Sequence, residues 1–287
     1  MTTDVGAGDG TQYSVPGCVP GGDAGLLQVK ALGPTCDRAS ITTGDHYLHL
    51  YRDATGNVGP NYDGTLAEAL QCYAPQGTDG CRFPMPLEAL SRALDPTNAF
   101  NGGIQQPGAT LLVVIVTDQD DCSAPADTEL FDPFQTDPTS VLGPLSTYRC
   151  FEFGFVCDGL PPGRSAGSRA NCVPGAPDSD PHHELSPIDG DSGYAKQLSA
   201  SHGDNIVVGV LAGPPSPVKV VVDGEGYSQL VPYCFVGGDG ADPAIRLNAF
   251  AATRPTPNDV ICSDYSAALA QWTQQALNLA AASRSCD

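Results

Sequence analysis

Basic residues are scarce in this chain of 287 residues. Thirteen Lys and Arg residues stand against 33 Asp and Glu residues, which leaves a formal net charge of −20. Such an excess of negative charge repels phosphate backbones and anionic membrane surfaces. We therefore expect no nucleic-acid partner.

Long hydrophobic runs are also missing. No apolar stretch approaches the roughly 20 residues that a membrane-spanning helix needs, so we expect no transmembrane segment. The start, Met1–Asp4, lacks the basic residues, apolar core and small-residue cleavage site of a signal peptide. No signal sequence is therefore expected within this chain.

The cysteines form no Cys-x-x-Cys pair of the kind that zinc and redox sites use. The chain has 11 of them, scattered through Gly- and Pro-rich segments, and this pattern favours disulfides. We expect bridges Cys18–Cys36, Cys72–Cys81 and Cys234–Cys262, and pairing among Cys122, Cys150, Cys157 and Cys172. Eleven is odd, so one thiol is free, pairs with another chain, or has a partner outside this sequence.

Disulfides indicate an oxidising location, so the protein is expected to be secreted, periplasmic or associated with the outer envelope. The absence of a signal peptide conflicts with this location. We resolve the conflict by expecting a mature segment, or a reading frame that lacks its true beginning.

One stretch dominates the chain. Leu111–Val116 is an unbroken apolar run, typical of a strand buried on both faces in the middle of a parallel sheet. It is followed by Asp118, Asp120 and Asp121, which supply hard oxygen ligands at the carboxyl end of the strand, where open α/β sheets usually carry their sites.

Periodicity predicts further elements on both sides of this strand. Helices are expected over 65–72, 86–94, 192–201, 243–252 and 264–283, short strands over 47–51 and 205–212, and a hairpin over 218–231. The order strand, helix, strand predicts a βαβ unit. We expect an α/β fold with a doubly wound, mostly parallel sheet, helices on both faces and an antiparallel edge hairpin.

A single domain over residues 1–287 is expected, because α/β domains of this size are common. Residues 1–62 are predicted to be an irregular, disulfide-containing excursion. Residues 122–190, which carry four cysteines and no sustained periodicity, are predicted to be a long loop insertion.

These features resemble the von Willebrand factor A (VWA)-like domains of bacterial secreted proteins and lipoproteins. The resemblance lies in Gly80–Ala89, Asp118–Ser123, Leu142–Gly154, Ala212–Pro215 and Pro243–Leu247. It implies an adhesion or protein-binding module without enzymatic activity. In such a module, a carboxylate from a protein or other ligand completes the coordination of a divalent ion. The first strand of the family and its Asp-x-Ser-x-Ser motif are missing, so the chain is expected to begin inside the domain.

The resemblance implies a metal site formed by Asp118, with Asp120, Asp121 and Thr65 as further candidate ligands. Without the serine ligands, Mg²⁺ is expected to bind weakly or not at all, whereas Ca²⁺ tolerates a less regular set of oxygens. The alternative is that these aspartates cap the turn that follows the strand.

Two other functions stay open. One is a hydrolase whose active site is walled by the 122–190 loop, near His182 or Ser201, although no Gly-x-Ser-x-Gly elbow is present. The other is a structural envelope domain with a degenerate site. The oligomeric state is left open.

Overall fold

The structure is a computed structural model. It describes residues 1–7, 14–28, 30–32, 36, 41–42, 44–52, 54–77, 79–106, 108–175, 183–236, 238–254 and 256–284. His182 and Cys286 lie outside these residues, and so does part of the expected 122–190 insertion.

Helices and strands alternate irregularly along the described chain. The helices are α1 (Leu66–Tyr73), α2 (Pro86–Ala93), α3 (Tyr148–Glu152), α4 (Tyr194–His202), α5 (Ile245–Ala252) and α6 (Ser266–Arg284). The strands are β1 (Leu50–Arg52), β2 (Val58–Pro60), β3 (Leu111–Val116), β4 (Phe155–Val156), β5 (Gly167–Arg169), β6 (Val173–Pro174), β7 (Ile206–Ala212), β8 (Val218–Val222), β9 (Ser228–Leu230), β10 (Cys234–Val236), β11 (Asp239–Ala241) and β12 (Asp259–Val260).

The expected fold class is wrong. The structure is mixed α/β with only 23% helix, and its sheets are small and mostly antiparallel. The one parallel sheet of the described chain has three strands in the order β12–β7–β3. Thus β7, and not the acidic-ended β3, is the central strand, and there is no doubly wound sheet in the described chain.

The hairpin is also placed differently from the prediction. Strands β8 and β9 pair antiparallel, as expected, but β5 from the 122–190 segment pairs with the other side of β8. The three strands form a separate sheet instead of extending the edge of the parallel sheet. The predicted insertion therefore contributes a strand to regular structure.

The parallel sheet is covered on both faces. On one side, apolar residues of α2, α4 and α5 pack against Val208 and Val210 of β7. On the other side, Trp272 of α6 is fully buried against Val207 and Leu211. Gly209 permits this contact, because a Cβ there would come within 2.3 Å of the Trp272 ring.

Five disulfides tie the loops to this core. Cys234–Cys262 forms as expected, and the four cysteines of the insertion pair among themselves as Cys122–Cys150 and Cys157–Cys172. The other two expected bridges are wrong: the structure has Cys18–Cys81 and Cys36–Cys72. The first 36 residues are therefore attached to the segment around α1 and α2. Five disulfides are consistent with a secreted or other extracytoplasmic protein.

A buried arginine organises the start of the insertion. Arg149 of α3 is 1% exposed, and its guanidinium donates to five backbone carbonyls, those of Leu130, Asp132, Gln135, Gly143 and Pro144. Burial lowers the pKa of Arg149 to about 10. Irregular chain is thus held by side-chain hydrogen bonds where a sheet ladder is absent.

Within the residues that the structure describes, no helix has the length and apolar character that crossing a membrane requires.

Candidate functional site

An open cleft of about 620 Å³ lies at the carboxyl end of β3. Asp118 lines it and is exposed. No described residue hydrogen-bonds to the Asp118 carboxylate, whereas the Asp118 backbone carbonyl accepts from the Asp242 N–H at 2.8 Å. The main chain at Asp118 is thus fixed by a hydrogen bond, while the carboxylate remains open to a ligand.

The opposite wall of the cleft comes from two segments that the Cys18–Cys81 bridge joins. It includes Asp4, Asp23, Asp79, Lys30 and Arg82. The Asp4 carboxylate accepts from the backbone N–H groups of Gly6 and Cys81, at 2.9 and 3.1 Å. Asp79 and Arg82 are exposed, and no described residue pairs with either side chain.

Asp120 does not line the cleft and instead caps a helix. Its Oδ2 accepts from the N–H of Arg246 at 2.8 Å, and its Oδ1 accepts from the N–H of Leu247 at 3.1 Å. These are the first-turn donors of α5, whose own N-cap, Ala244, has no side-chain acceptor. Burial raises the pKa of Asp120 to about 7, and the hydrogen bonds from these two N–H groups oppose the rise.

Asp121 is fully buried and serves a second helix. Its Oδ1 accepts from the N–H of Leu87 at 3.1 Å, in the first turn of α2, and from the Ser123 hydroxyl at 2.6 Å. Its Oδ2 accepts from Nε and Nη2 of Arg246, both at 3.1 Å. Both side chains of this ion pair are 0% exposed.

Ser123 completes the arrangement. Its hydroxyl oxygen accepts from the N–H of Glu88 at 2.9 Å, which is the next donor of α2. The N-cap of this helix, Met85, again supplies no side-chain acceptor. The acidic run and Ser123 therefore cap α2 and α5 from outside both helices, whereas the sequence had suggested capping of the turn that follows the strand.

Thr65 is occupied at another helix. It is the N-cap of α1, where its hydroxyl accepts from the Glu68 N–H at 3.2 Å while the Glu68 carboxylate accepts from the Thr65 N–H at 2.8 Å. This reciprocal pair is a capping box. Thr65 does not line the Asp118 cleft.

The four candidate metal ligands are thus not gathered around one ion. Asp120 and Asp121 are turned towards backbone donors and Arg246, Thr65 is held in its capping box, and Asp118 alone is open. Across the described ranges, no three His, Cys, Asp or Glu side chains are grouped so that they could hold a metal ion. These residues do not fit a shared Mg²⁺ or Ca²⁺ site in this arrangement, and metal binding stays a prediction.

Asp242 is the acidic neighbour that sequence reasoning missed. It lies beside Asp118 at the same edge of the sheet, and burial together with the Asp118 charge raises the pKa of Asp242 to about 6. Its position after the short strand β11 gave no periodic signal. Arg246 was also missed as the partner of Asp121, although it belongs to a motif of the resemblance.

The catalytic alternative is not assembled by the described residues. His182 lies outside them, and the side chain of Ser201 is also outside the description. His202 and Asp204 lie at the end of α4 and before β7, which is the opposite end of the parallel sheet from Asp118. Hydrolase activity stays a prediction.

Comparisons with known proteins add no further assignment. No protein-family model matches the chain, and neither a curated protein nor a solved structure matches it.

Proposed function

We propose that the chain is an extracytoplasmic binding module that captures a basic segment of a partner protein in the Asp118 cleft. The observation that carries the proposal is the open Asp118 carboxylate on the cleft wall. The carboxylates of its neighbours Asp120 and Asp121 are instead bonded to Arg246, through its backbone N–H and its guanidinium. It acts in the periplasm or outside the cell, where its disulfides persist.

The charge of the cleft supports a basic ligand. Four aspartates, at positions 4, 23, 79 and 118, line it against two cations, Lys30 and Arg82. The whole chain carries a net charge of −20, which accelerates encounter with a positively charged partner. A carboxylate-bearing ligand, which a resident metal ion would be needed to attract, fits this surface less well.

The test is a calorimetric titration of the full chain with a synthetic hexalysine peptide at low and at physiological salt. Asp118→Asn is expected to weaken binding about fivefold, because an exposed ion pair contributes about 1 kcal/mol at most. Asp204→Asn is the matched control, since it removes the same charge from an exposed site at the opposite end of the sheet.

Equal weakening by the two variants would contradict the proposal, since it would show attraction to the net charge alone. An unchanged affinity of Asp118→Asn would also contradict it. EDTA is expected to leave the affinity unchanged, whereas loss of binding on chelation, restored by Mg²⁺ or Ca²⁺, would favour the metal-dependent adhesion site.

A further inference from the structure

A second cleft, of about 540 Å³, lies at the amino end of the parallel sheet. One wall comes from the segment 93–109, between the end of α2 and the start of β3, and the other from His202 at the end of α4 and Asn205 before β7. Its volume is within the range of about 300–1,000 Å³ that small-molecule sites occupy. It shares no lining residue with the Asp118 cleft, which lies at the carboxyl end of β3.

This second cleft carries little charge. Asp95 is the one carboxylate among its described lining residues, and these include no Lys or Arg. Partial burial lowers the pKa of His202, so its imidazole is largely neutral at pH 7. A phosphate or carboxylate ligand would therefore find no cation to bind among these residues.

A buried amide holds one wall of the cleft in place. Asn101 is 3% exposed, and its Oδ1 accepts from the Leu27 N–H at 2.9 Å. Its Nδ2 donates to the carbonyl groups of Gly25 and Ala93, at 2.9 and 3.1 Å. The wall is therefore anchored to neighbouring segments at Asn101.

Two glutamines of this wall present acceptors to the cleft. Gln105 Nε2 donates to the Leu94 carbonyl at 2.6 Å, and Gln106 Nε2 donates to the Gly103 carbonyl at 2.7 Å. These bonds fix both side-chain amides, whereas no described residue donates to the Oε1 of either. Two fixed amide oxygens are thus left for a ligand.

Asn205 and Asp95 add further hydrogen-bonding groups. The Asn205 N–H donates to the His202 carbonyl at 3.2 Å, and the Asn205 carbonyl accepts from the Leu111 N–H at 2.9 Å, but its side-chain amide bonds to no described residue. Oδ1 of Asp95 accepts from the Thr97 N–H and hydroxyl, both at 2.7 Å, whereas no described residue donates to Oδ2. The cleft thus combines three acceptors with one amide that can both donate and accept.

We propose that this cleft binds an uncharged carbohydrate of one or two sugar rings. Each sugar hydroxyl both donates and accepts, so neighbouring hydroxyls of one ring can donate to the glutamine and aspartate oxygens and accept from the Asn205 Nδ2. The C–H groups of the ring pack against Ala93, Pro96 and Ala109, which are apolar residues of the lining. The inference does not depend on the function proposed for the Asp118 cleft.

Other ligand classes fit this cleft less well. A primary ammonium group could donate to the acceptors, but it would leave the Asn205 Nδ2 without an acceptor, and only Asp95 would balance its charge. A metal ion is not favoured, because no three His, Cys, Asp or Glu side chains are suitably grouped anywhere in the described part of the chain.

The experiment is an NMR titration of the full, isotopically labelled chain with the methyl glycosides of D-glucose, D-galactose, D-mannose and N-acetyl-D-glucosamine. Putrescine and D-glucuronate serve as a cationic and an anionic probe. Asn205→Ala removes an amide that has no partner among the described residues, so its midpoint of urea denaturation should equal that of the wild type. Asn278→Ala is the matched control, because it removes the same group from an exposed position of α6.

We expect at least one glycoside to bind, to shift the side-chain amide signals of Gln105, Gln106 and Asn205, and to keep its affinity at high salt. Asn205→Ala should weaken binding about fivefold, as the loss of one hydrogen bond predicts, while Asn278→Ala and Asp118→Asn leave it unchanged. No binding of any glycoside, shifts confined to other parts of the chain, or equal weakening by Asn205→Ala and Asn278→Ala would overturn the proposal. Tighter binding of putrescine or glucuronate than of every glycoside would overturn it in favour of a charged ligand.

Discussion

Asp118 and Asp121 follow the same strand, β3, and lie three residues apart, yet their surroundings are opposite. Asp121 is 0% exposed and bonds to Arg246, Ser123 and the first turn of α2, whereas Asp118 faces an open cleft. The residue type is the same in both places, so the difference comes from what packs around each carboxylate. A carboxylate at this end of β3 is open to solvent only where no helix N-terminus lies within reach of it.

The helices explain this division. Both α2 and α5 begin without a side-chain cap of their own, at Met85 and Ala244. Their first N–H groups would otherwise be buried without acceptors, at a cost of about 1–3 kcal/mol for each group. Asp120, Asp121 and Ser123 accept from these donors. Capping from a distant segment thus fixes both helices to the end of β3.

The largest expected effect comes from breaking the buried ion pair. Asp121→Ala leaves the Arg246 guanidinium charged and without its carboxylate, which should lower the free energy of unfolding by about 3–5 kcal/mol. Urea denaturation measures the loss. The double variant Asp121→Ala/Arg246→Met removes both charges and should recover part of it, whereas simple addition of the two single losses would show that the pair is not coupled.

Removal of the α5 cap should have a smaller effect. Asp120→Ala takes away the acceptor for two N–H groups and is expected to cost about 1–2 kcal/mol of unfolding free energy. The loss should be larger at pH 5 than at pH 8, because the pKa of Asp120 is raised to about 7 in the folded chain and ionisation of this buried carboxyl group lowers the stability of the wild type as pH rises. Val222→Ala, at an exposed position far from the acidic run, serves as a control; an equal loss there would contradict the capping role.

The Asp242 carboxyl group, which lies beside Asp118, makes the stability of the folded chain sensitive to pH. Its pKa in the folded chain, about 6, lies above the ordinary 3.8, so the folded state binds more protons between these values. Stability therefore declines as pH rises from 4 to 7, by about 1–2 kcal/mol more in the wild type than in Asp242→Asn. Urea denaturation across this range measures it, and parallel curves for the two proteins would contradict the prediction.

Local sequence patterns predicted the individual elements well. The five long helices, β7 and the β8–β9 hairpin lie where periodicity, Pro86 and the Gly-rich turn placed them. These features depend on neighbours within about one or two turns of chain. Burial of apolar side chains on one face is enough to specify them.

The partners of each strand were not predictable in the same way. The apolar run of β3 indicated coverage on both edges, but only β7 pairs with it in the described chain. The expected Cys18–Cys36 and Cys72–Cys81 bridges assumed that loops close on themselves. The observed bridges instead cross between segments that only tertiary folding brings together, with sequence separations of 63 and 36 residues.

The site shows the same limit. The acidic run was visible in the sequence, but the direction in which each carboxylate points depends on the N-termini of α2 and α5. The donor Leu87 lies 34 residues before Asp121, and the donor Arg246 lies 126 residues after Asp120. The absence of capping residues at Met85 and Ala244 was a usable signal. It becomes informative only when the N-terminus of each helix is known to meet the end of β3.

The most direct measurement of this division is urea denaturation of Asp118→Asn beside Asp121→Asn under identical conditions. The two substitutions make the same chemical change three residues apart. Asp118→Asn should alter the unfolding free energy by no more than about 0.5 kcal/mol, as expected for an exposed side chain with no hydrogen-bond partner among the described residues, while Asp121→Asn loses several times more. Equal losses in the two variants would contradict the account, since they would place Asp118 within the internal network rather than in an open cleft.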